Sequence, residues 1–194
     1  MAAAASDTKA RLLAIGRDLY LDAGTEGFSL REVARRAKIS APAVYRHFDG
    51  KEALLAAVCN DGFRVFSSYL IQALEAKTPA ERLRATAEQY LRFGLENPRD
   101  YRFIFMTDIA GLDDGQGFKQ AATFQFLVDR VRECVDAKLL MERDPRELAT
   151  IIWANVHGLV SLRLAGHLGP IGDDDAFSRF YVAAGERVFA GLAP

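Results

Sequence analysis

Hydrophobic residues recur at the three- and four-residue spacing of α-helices along most of the chain, and no segment keeps the alternation typical of strands. Helix-start signals, in which a capping side chain precedes a proline or an acidic residue, divide this pattern. They begin at Ser29, Ser40, Thr78, Asn97, Asp144 and Asp173. The sequence therefore predicts an all-α protein with about nine helices.

The helix boundaries follow from these signals and from the apolar repeats. Residues 1–5 are expected to form a disordered arm, with Ser6 or Asp7 capping a leading helix. After the helix-turn-helix, a connecting helix is predicted to run to Ala76, followed by two helices that end at Glu96 and Met106. A loop at Gly111–Gly117 then precedes a helix over Phe118–Met141. The last two helices are predicted over Arg146–His167 and from the Asp173 cap to Leu192.

The segment from Ser29 to Leu54 predicts a helix-turn-helix. Ser29 and Glu32 have the spacing of a capping box, in which the hydroxyl accepts an early backbone N–H and the carboxylate reaches back. Ser40 is a candidate cap for the second helix, and Pro42 suits its first turn. A helix over Ala41–Phe48 would bury Val44 and Phe48 and leave small, aromatic and basic residues on its outer side.

The outer face of this segment suits DNA, because a small first turn can approach base edges while aromatic and basic residues reach the phosphates. The predicted DNA-contacting residues are Ser29, Arg31, Ala41, Pro42, Ala43, Tyr45, Arg46, His47 and Lys51. Arg31 and Ala43 are the candidates for base-edge contact, and Arg46 and Lys51 for phosphate contact. Taken singly, each residue also has a plain structural explanation, such as a solvated helix face or ordinary packing.

The sequence YRHFDGKEAL, residues 45–54, closely resembles the signature that closes the DNA-binding domain of the tetracycline repressor (TetR) family. The resemblance extends from Ala10 to about Ala57 and includes the leading helix, whose expected inward residues are Leu12, Ile15, Leu19, Tyr20 and Ala23. It implies an N-terminal three-helix DNA-binding domain over residues 1–52. Residues 53–194 would then form a helical ligand-binding and dimerisation domain.

The predicted helix over Arg146–His167 is apolar on more than one face, which exceeds what a monomer of this size could bury. The last helix offers a second apolar face. Two such helices from each chain predict a four-helix interface around a two-fold axis, and the family resemblance implies the same homodimer. Two recognition helices related in this way would read an inverted repeat in double-stranded DNA.

Aromatic and sulfur-bearing residues on the middle helices are candidates for the wall of an effector pocket. They are Phe103, Phe105, Met106, Phe124, Phe126 and Leu127, together with Trp153 and His157. Ordinary core packing is the alternative for each. Trp153 and His157 need hydrogen-bond partners on so apolar a helix; a ligand or a backbone carbonyl could supply one. The sequence WANVHG, residues 153–158, resembles the Trp-His-Gly signature of one group of C-terminal ligand-binding domains in the family.

Composition narrows the function classes. The net charge is −1, and residues 1–52 hold nine Lys or Arg against seven Asp or Glu, so DNA binding must depend on local placement of charge. Cys59 and Cys134 lie far apart and suggest neither a disulfide framework nor a metal site, which favours the cytoplasm. No apolar run is long enough to span a membrane. The three histidines match no catalytic motif, so we expect no enzyme activity and no cofactor.

The sequence thus predicts a homodimeric transcriptional regulator, specifically a repressor that leaves a palindromic operator when a small, largely apolar effector binds. The alternative is a ligand-independent DNA-binding dimer whose C-terminal domain serves only dimerisation or protein interaction. A cavity of roughly 300 Å³ or more among the middle helices would favour the sensor, and a filled core the alternative.

Overall fold

The computed structural model describes residues 2–107, 118–169 and 172–194, and within these ranges it contains nine α-helices and no strand. This confirms the predicted all-α class. The helices are α1 (Ala2–Gly27), α2 (Leu30–Ala37), α3 (Ala41–Tyr45), α4 (Lys51–Gln72), α5 (Pro79–Glu96), α6 (Pro98–Met106), α7 (Phe118–Asp136), α8 (Pro145–Leu164) and α9 (Asp174–Gly191). In these ranges no helix is both long and apolar enough to cross a membrane. The predicted loop at Gly111–Gly117 lies outside them.

Several helix starts are confirmed by their caps. Thr78 and Glu81 form a complete capping box, with the Glu81 N–H 3.3 Å from Thr78 Oγ1 and the Thr78 N–H 3.0 Å from Glu81 Oε2. The side chains of Asp144 and Asp173 accept backbone N–H groups at the starts of α8 and α9. These caps satisfy donors that the first helical turn leaves without intrahelical partners. The sequence signals for α5, α8 and α9 therefore work as predicted.

Other predicted boundaries are wrong. Helix α1 begins at Ala2, so neither the arm nor a cap at Ser6 or Asp7 is found, and its backbone leaves helical geometry at Gly24 (φ 64°). Helix α7 ends at Asp136 because Lys138 takes a left-handed conformation (φ 58°) and the Leu139 N–H bonds back to the Cys134 carbonyl at 2.9 Å.

Two further helix ends also differ from the prediction. The helical geometry of α4 stops at Gln72, and a 3₁₀ turn over Ala73–Glu75 continues the chain. Helix α8 ends at Leu164, because Gly166 has a positive φ of 76° and the His167 N–H bonds to the Leu162 carbonyl at 3.0 Å. The 3₁₀ turn tightens the chain after α4, and the bond from the His167 N–H reverses the chain after α8.

The chain forms two compact units. The first contains Met1–Arg64 and Arg99–Lys119, and the second contains Val65–Pro98 and Gln120–Pro194. The first unit therefore holds more of the chain than the predicted DNA-binding domain of residues 1–52. The functional boundary at residues 52 and 53 stays a prediction.

Aromatic residues join α1 to α6 inside the first unit. The Tyr20 ring meets Phe28 edge-on at 6.0 Å between centroids and Phe103 at 5.6 Å. Leu12 and Leu19 of α1 are buried as predicted, whereas Ala23 is exposed. Ala23 directly precedes the break at Gly24, which explains why the helical periodicity fails there.

One hydrophobic cluster of the second unit is formed by α5, α7, the turn after α7, and α8, with partly buried side chains of α9 packed against it. Its buried members are Leu83, Val128, Val131, Cys134, Leu140, Leu148, Ala149 and Ile152. Burial raises the pKa of the Cys134 thiol to about 11, so this cysteine stays protonated and acts as a small apolar core residue.

We predict that Gly62→Ala destabilises the protein. A Cβ at Gly62 in α4 would lie 2.7 Å from Ile104 Cγ2 of α6, and a methyl on a β-branched carbon cannot swing away. Overpacking of this kind costs about 1–3 kcal/mol, which outweighs a gain of up to about 1 kcal/mol from replacing a helical glycine. Urea unfolding of the wild type and the variant measures the difference.

Gly16→Ala is the matched control. Its Cβ would lie 3.1 Å from Leu54 Cδ2, at the mobile end of a flexible side chain, so this variant should lose less than Gly62→Ala by about 1 kcal/mol or more. Equal stability of the two variants would show that α4 and α6 are not closely packed at Gly62.

Candidate functional site

The start of α2 forms only half of the predicted capping box. Ser29 Oγ accepts the Glu32 N–H at 3.2 Å, as expected. The Glu32 carboxylate bonds instead to Arg35, with Nη2 2.6 Å from Oε1 and Nε 2.7 Å from Oε2, and to Arg36 Nε at 3.1 Å. The reciprocal bond of the box is therefore a wrong prediction, because two guanidinium groups one turn ahead compete for the same carboxylate.

A short reversed turn joins α2 to α3. Lys38 adopts a left-handed conformation (φ 53°), and the Ile39 N–H bonds to the Ala34 carbonyl at 3.1 Å. Arg11 Nη2 of α1 also donates to the Ala37 carbonyl at 2.9 Å, a contact that no local sequence signal predicts. Ser40 occupies the cap position of α3, but its side chain makes no capping hydrogen bond.

Helix α3 is shorter than predicted, yet its buried side is the predicted one. It ends at Tyr45 because the His47 N–H bonds to the Val44 carbonyl at 2.8 Å, which tightens the following turn. Phe48 remains one turn beyond Val44 through a bond of 3.1 Å from its N–H to the same carbonyl. The exposed fraction is 0% for Val44 and 5% for Phe48.

The predicted DNA-contacting residues lie in the first unit, on α2 and α3, at the residues that flank these two helices, and at the start of α4. Helices α2 and α3 pack against each other. The exposed members of the set are Ser29, Arg31, Pro42, Tyr45, Arg46 and Lys51, and the half-buried ones are Ala41, Ala43 and His47. Tyr45 exposes 52% of its surface, which is unusual for a ring that packing alone would explain.

His157 of α8 is held between two hydroxyl groups. Its Nδ1 lies 2.9 Å from the Tyr90 hydroxyl oxygen, and its Nε2 lies 3.3 Å from Ser161 Oγ. Burial lowers the pKa of the imidazole, which keeps the ring neutral near pH 7. A neutral imidazole has one donor and one acceptor nitrogen, and a hydroxyl can serve either. The sequence alone also allows a backbone carbonyl as the partner of His157, and these two hydroxyl groups take its place. Ser161 is four residues after His157, so helical spacing alone could have predicted this contact.

A row of aromatic rings continues from His157. The Trp153 ring lies 5.5 Å from the His157 ring and 5.8 Å from the Phe124 ring of α7, centroid to centroid. Phe124 and Leu127 are partly buried against the core of the second unit. Five of the eight predicted ligand residues thus lie in the second unit, and three of them form a contiguous row.

The other three predicted ligand residues belong to the first unit; they are Phe103, Phe105 and Met106. Phe103 is fully buried there and packs against Tyr20, and Met106 exposes 46% of its surface. In the second unit, a small apolar cavity of about 70 Å³ is lined by α5, α8 and α9, including Leu83, Ile152 and Phe189. It does not include Trp153 or His157, and it is much smaller than the ~300–1,000 Å³ of a drug-sized ligand pocket.

We predict an unusually acidic carboxyl group at Glu32. Its hydrogen bonds from Arg35 and then from Arg36 lower the pKa from 4.5 to about 2. Because the folded pKa lies below the unfolded one, the stabilisation is present above pH 4.5 and is lost as the pH falls towards 2. An NMR titration of the Glu32 side-chain carboxyl carbon should give this value. In an Arg35→Gln/Arg36→Gln variant the pKa should return towards 4.5, and a wild-type value near 4.5 would contradict the pairing.

Comparison with known proteins identifies both parts of the chain. Residues 12–58 match the sequence profile described as "Bacterial regulatory proteins, tetR family", which covers the residues of α2, the turn and α3. Residues 83–184 match the profile described as "Tetracyclin repressor-like, C-terminal domain".

Individual relatives agree with these profiles. The HTH-type transcriptional activator FasR of Mycolicibacterium smegmatis is 32% identical over 103 residues, and this match spans 53% of the present chain and about half (47%) of FasR. A protein of unknown function from Rhodococcus sp. RHA1 has a TM-score of 0.81 at 26% identity, covering 96% of each chain. The TetR family regulator PfmR of Thermus thermophilus shares the fold, with a TM-score of 0.75 at 22% identity over 95% of this chain and all of PfmR.

The C-terminal profile alone covers more than half of the 194 residues, and the N-terminal profile coincides with the exposed basic and aromatic face of α2 and α3. The chain belongs to the tetracycline repressor family of DNA-binding transcriptional regulators.

Proposed function

We propose that this protein binds an inverted-repeat operator as a homodimer, represses transcription there, and is released by a small, largely apolar effector in its C-terminal domain. The proposal rests above all on the α2–α3 surface, where Val44 and Phe48 are buried and Tyr45 and Arg46 point away from the core. The relative FasR is named an activator, so repression is the part that an expression assay must decide. A regulator of this kind would act in the cytoplasm, where the DNA is.

The proposed DNA contacts divide the arginines of this region into two groups. Arg35 and Arg36 are held by Glu32, whereas Arg31 and Arg46 form no ion pair with any residue that the structure describes. Lys51 Nζ lies 4.0 Å from Glu52 Oε1, an exposed and weak pairing. Arg31, Arg46 and Lys51 are therefore available to DNA without breaking a close ion pair.

The proposed dimer interface is the exposed side of α8 and α9. Ile151 and Leu162 of α8 expose 43% and 42% of their surface, and Gly158 lies between them on the same side of the helix. A Cβ at Gly158 would meet no atom within 4 Å, so no described part of its own chain explains a helical glycine there. Phe180 and Val182 of α9 are exposed as well. A second copy would bury these apolar groups and approach closely at Gly158.

The proposed effector site is the ring row of Phe124, Trp153 and His157. An effector with one polar group could replace the hydroxyl of Tyr90 or Ser161 as a partner of His157. Release from DNA is then a population shift between two arrangements of the DNA-binding domains. A change from 99:1 to 1:99 needs about a 10⁴-fold preference of the effector for one arrangement, or roughly 5.5 kcal/mol.

Two observations favour the alternative, a ligand-independent dimer. Both nitrogens of His157 already have partners within the chain, and the cavity bounded by α5, α8 and α9 is only about 70 Å³. In that case the C-terminal domain would serve dimerisation or protein interaction alone.

Selection of bound duplexes from a random pool tests the proposed DNA recognition directly. The purified protein should enrich an inverted repeat whose half-sites lie about 34–36 Å apart or at a wider spacing. Enrichment of a single half-site, or of no sequence, would contradict the proposal. A reporter gene downstream of the selected operator then separates repression from activation.

We predict that Arg46→Ala and Lys51→Ala each weaken binding to all duplexes alike. A lost phosphate contact reduces the slope of log affinity against log salt by about one and leaves the preferred sequence unchanged. Fluorescence anisotropy with the selected operator and a random duplex measures both quantities. Lys77→Ala, an equal charge change at an exposed site of the second unit, is the control and should have little effect. A loss confined to one sequence would instead place the residue at a base edge.

We predict that Gly158→Leu abolishes the dimer, because the added side chain would occupy the space that the second copy needs. Sedimentation velocity should show a folded monomer with an unchanged helical circular dichroism spectrum. Gly191→Leu is the control, since a Cβ at Gly191 also meets no atom within 4 Å, but it lies at the end of α9. If Gly158→Leu remains dimeric, the interface lies elsewhere.

We predict that His157→Ala removes the response to effector and leaves dimerisation and operator affinity nearly intact, because the ligand loses a differential contact. The effector is first identified by screening compounds that release the wild-type protein from the selected operator. Tyr90→Phe and Ser161→Ala should shift the response less than His157→Ala. If the His157→Ala protein unfolds to monomer, or if its response is unchanged, His157 is a structural core residue.

A further inference from the structure

A row of ion pairs crosses the first unit from α6 to α2 by way of α1. It begins at Arg17 of α1, whose guanidinium lies 2.8 Å from Asp100 of α6 and 2.9 Å from Asp18. Arg99 of α6 then reaches back to α1, with Nη1 3.3 Å from Asp18 Oδ1 and Nη2 3.3 Å from Asp22 Oδ1. Two acidic residues of α1 therefore hold the first turn of α6.

Asp22 is the member of this row that also contacts the helix-turn-helix. Its Oδ1 accepts from Arg99, and its Oδ2 lies 3.8 Å from Arg36 Nη1 of α2. Arg36 is in turn bonded to Glu32 at 3.1 Å. One carboxylate thus lies between a cation of α6 and a cation of α2, and a displacement of either cation changes the field at the other.

The contact between Arg99 and Asp22 lies where the chain passes from the second unit to the first. Pro98 is the last residue of the second unit before the chain returns to the first unit at Arg99. Any change in the second unit that moves the chain at Pro98 therefore acts on the neighbouring residue Arg99. Asp22 is the next group that Arg99 binds, after which the row leads to α2.

We propose that Asp22 of α1 is a positioning residue for the DNA-binding face: it links α2 to α6 through Arg36 and Arg99, and so passes the position of α6 to the helix-turn-helix. The side chains of Asp22, Arg36 and Arg99 are each about 40–50% exposed, so each contact is weak and can rearrange without disturbing the core. This inference rests on the proposed operator binding and does not need an effector.

Asp22→Asn gives opposite results for a charge effect and a positioning effect. Removing a negative charge from a DNA-binding unit should by itself tighten binding to every duplex. Loss of positioning should instead weaken binding to the selected operator relative to a random duplex. From the usual strength of exposed ion pairs we expect the operator-to-random affinity ratio to fall about two- to fivefold. Asp129→Asn is the control, an equal charge change on an exposed, arginine-paired aspartate of the second unit.

Further variants test the connection to α6. Arg99→Lys keeps the charge but loses the simultaneous contact with Asp18 and Asp22, and it should lower the same ratio. The effects of Arg36→Gln and Arg99→Gln on operator affinity should be non-additive, because both residues share Asp22. Arg36→Gln combined with Arg92→Gln should be additive, since Arg92 pairs with Glu96 of α5 instead.

The inference is overturned if Asp22→Asn and Asp129→Asn change the affinity ratio equally, or if Arg36→Gln and Arg99→Gln act additively while all variants keep the wild-type melting temperature. Failure of the proposed function gives a different result, because the wild-type protein would then enrich no sequence and no specific geometry would exist for Asp22 to hold. A fall in the ratio for Asp22→Asn and Arg99→Lys but not for Asp129→Asn supports it.

Discussion

The burial of Val44 and Phe48 is the packing interaction on which the DNA-binding face depends. Helix α3 has five residues, far fewer than an isolated helix needs, so its conformation and orientation must come from tertiary contacts. Complete burial of a side chain of this size contributes about 1.5–3 kcal/mol. Because these two residues face inward, Tyr45 and Arg46 face solvent, and the chemistry offered to DNA follows from the position of the apolar pair.

Sequence reasoning succeeded where a local interaction decides the structure. Two of the confirmed caps join residues only three positions apart, namely Thr78 with Glu81 and Asp173 with the Ala176 N–H. The apolar repeat of α4 is likewise a local pattern, which can be recognised without knowledge of distant contacts. Sequence reasoning failed where competition or backbone conformation decides. The Glu32 carboxylate accepts hydrogen bonds from Arg35 and Arg36 instead of from the backbone N–H at the start of α2. Helix α7 ends two residues before Lys138, whose left-handed conformation is not indicated by helix propensity.

The candidate ligand residues show the same limit over longer distances. Ser161 could be paired with His157 from their i+4 spacing, but Tyr90 lies 67 residues away along the chain, and only the tertiary fold joins the two. Phe103 has the apolar character of a pocket residue, yet it packs against Tyr20 in the first unit. Hydrophobicity alone does not state which of two cores a residue joins, because both units bury aromatic rings at helical spacing.

Hydrogen–deuterium exchange with and without the selected operator tests the central claim most directly, namely that the α2–α3 face contacts DNA. The account predicts slower exchange in peptides covering residues 29–51 when the duplex is bound, and unchanged exchange in the same peptides with a random duplex at a salt concentration that prevents non-specific binding. Slower exchange confined to other segments, with residues 29–51 unaffected by the operator, would contradict it.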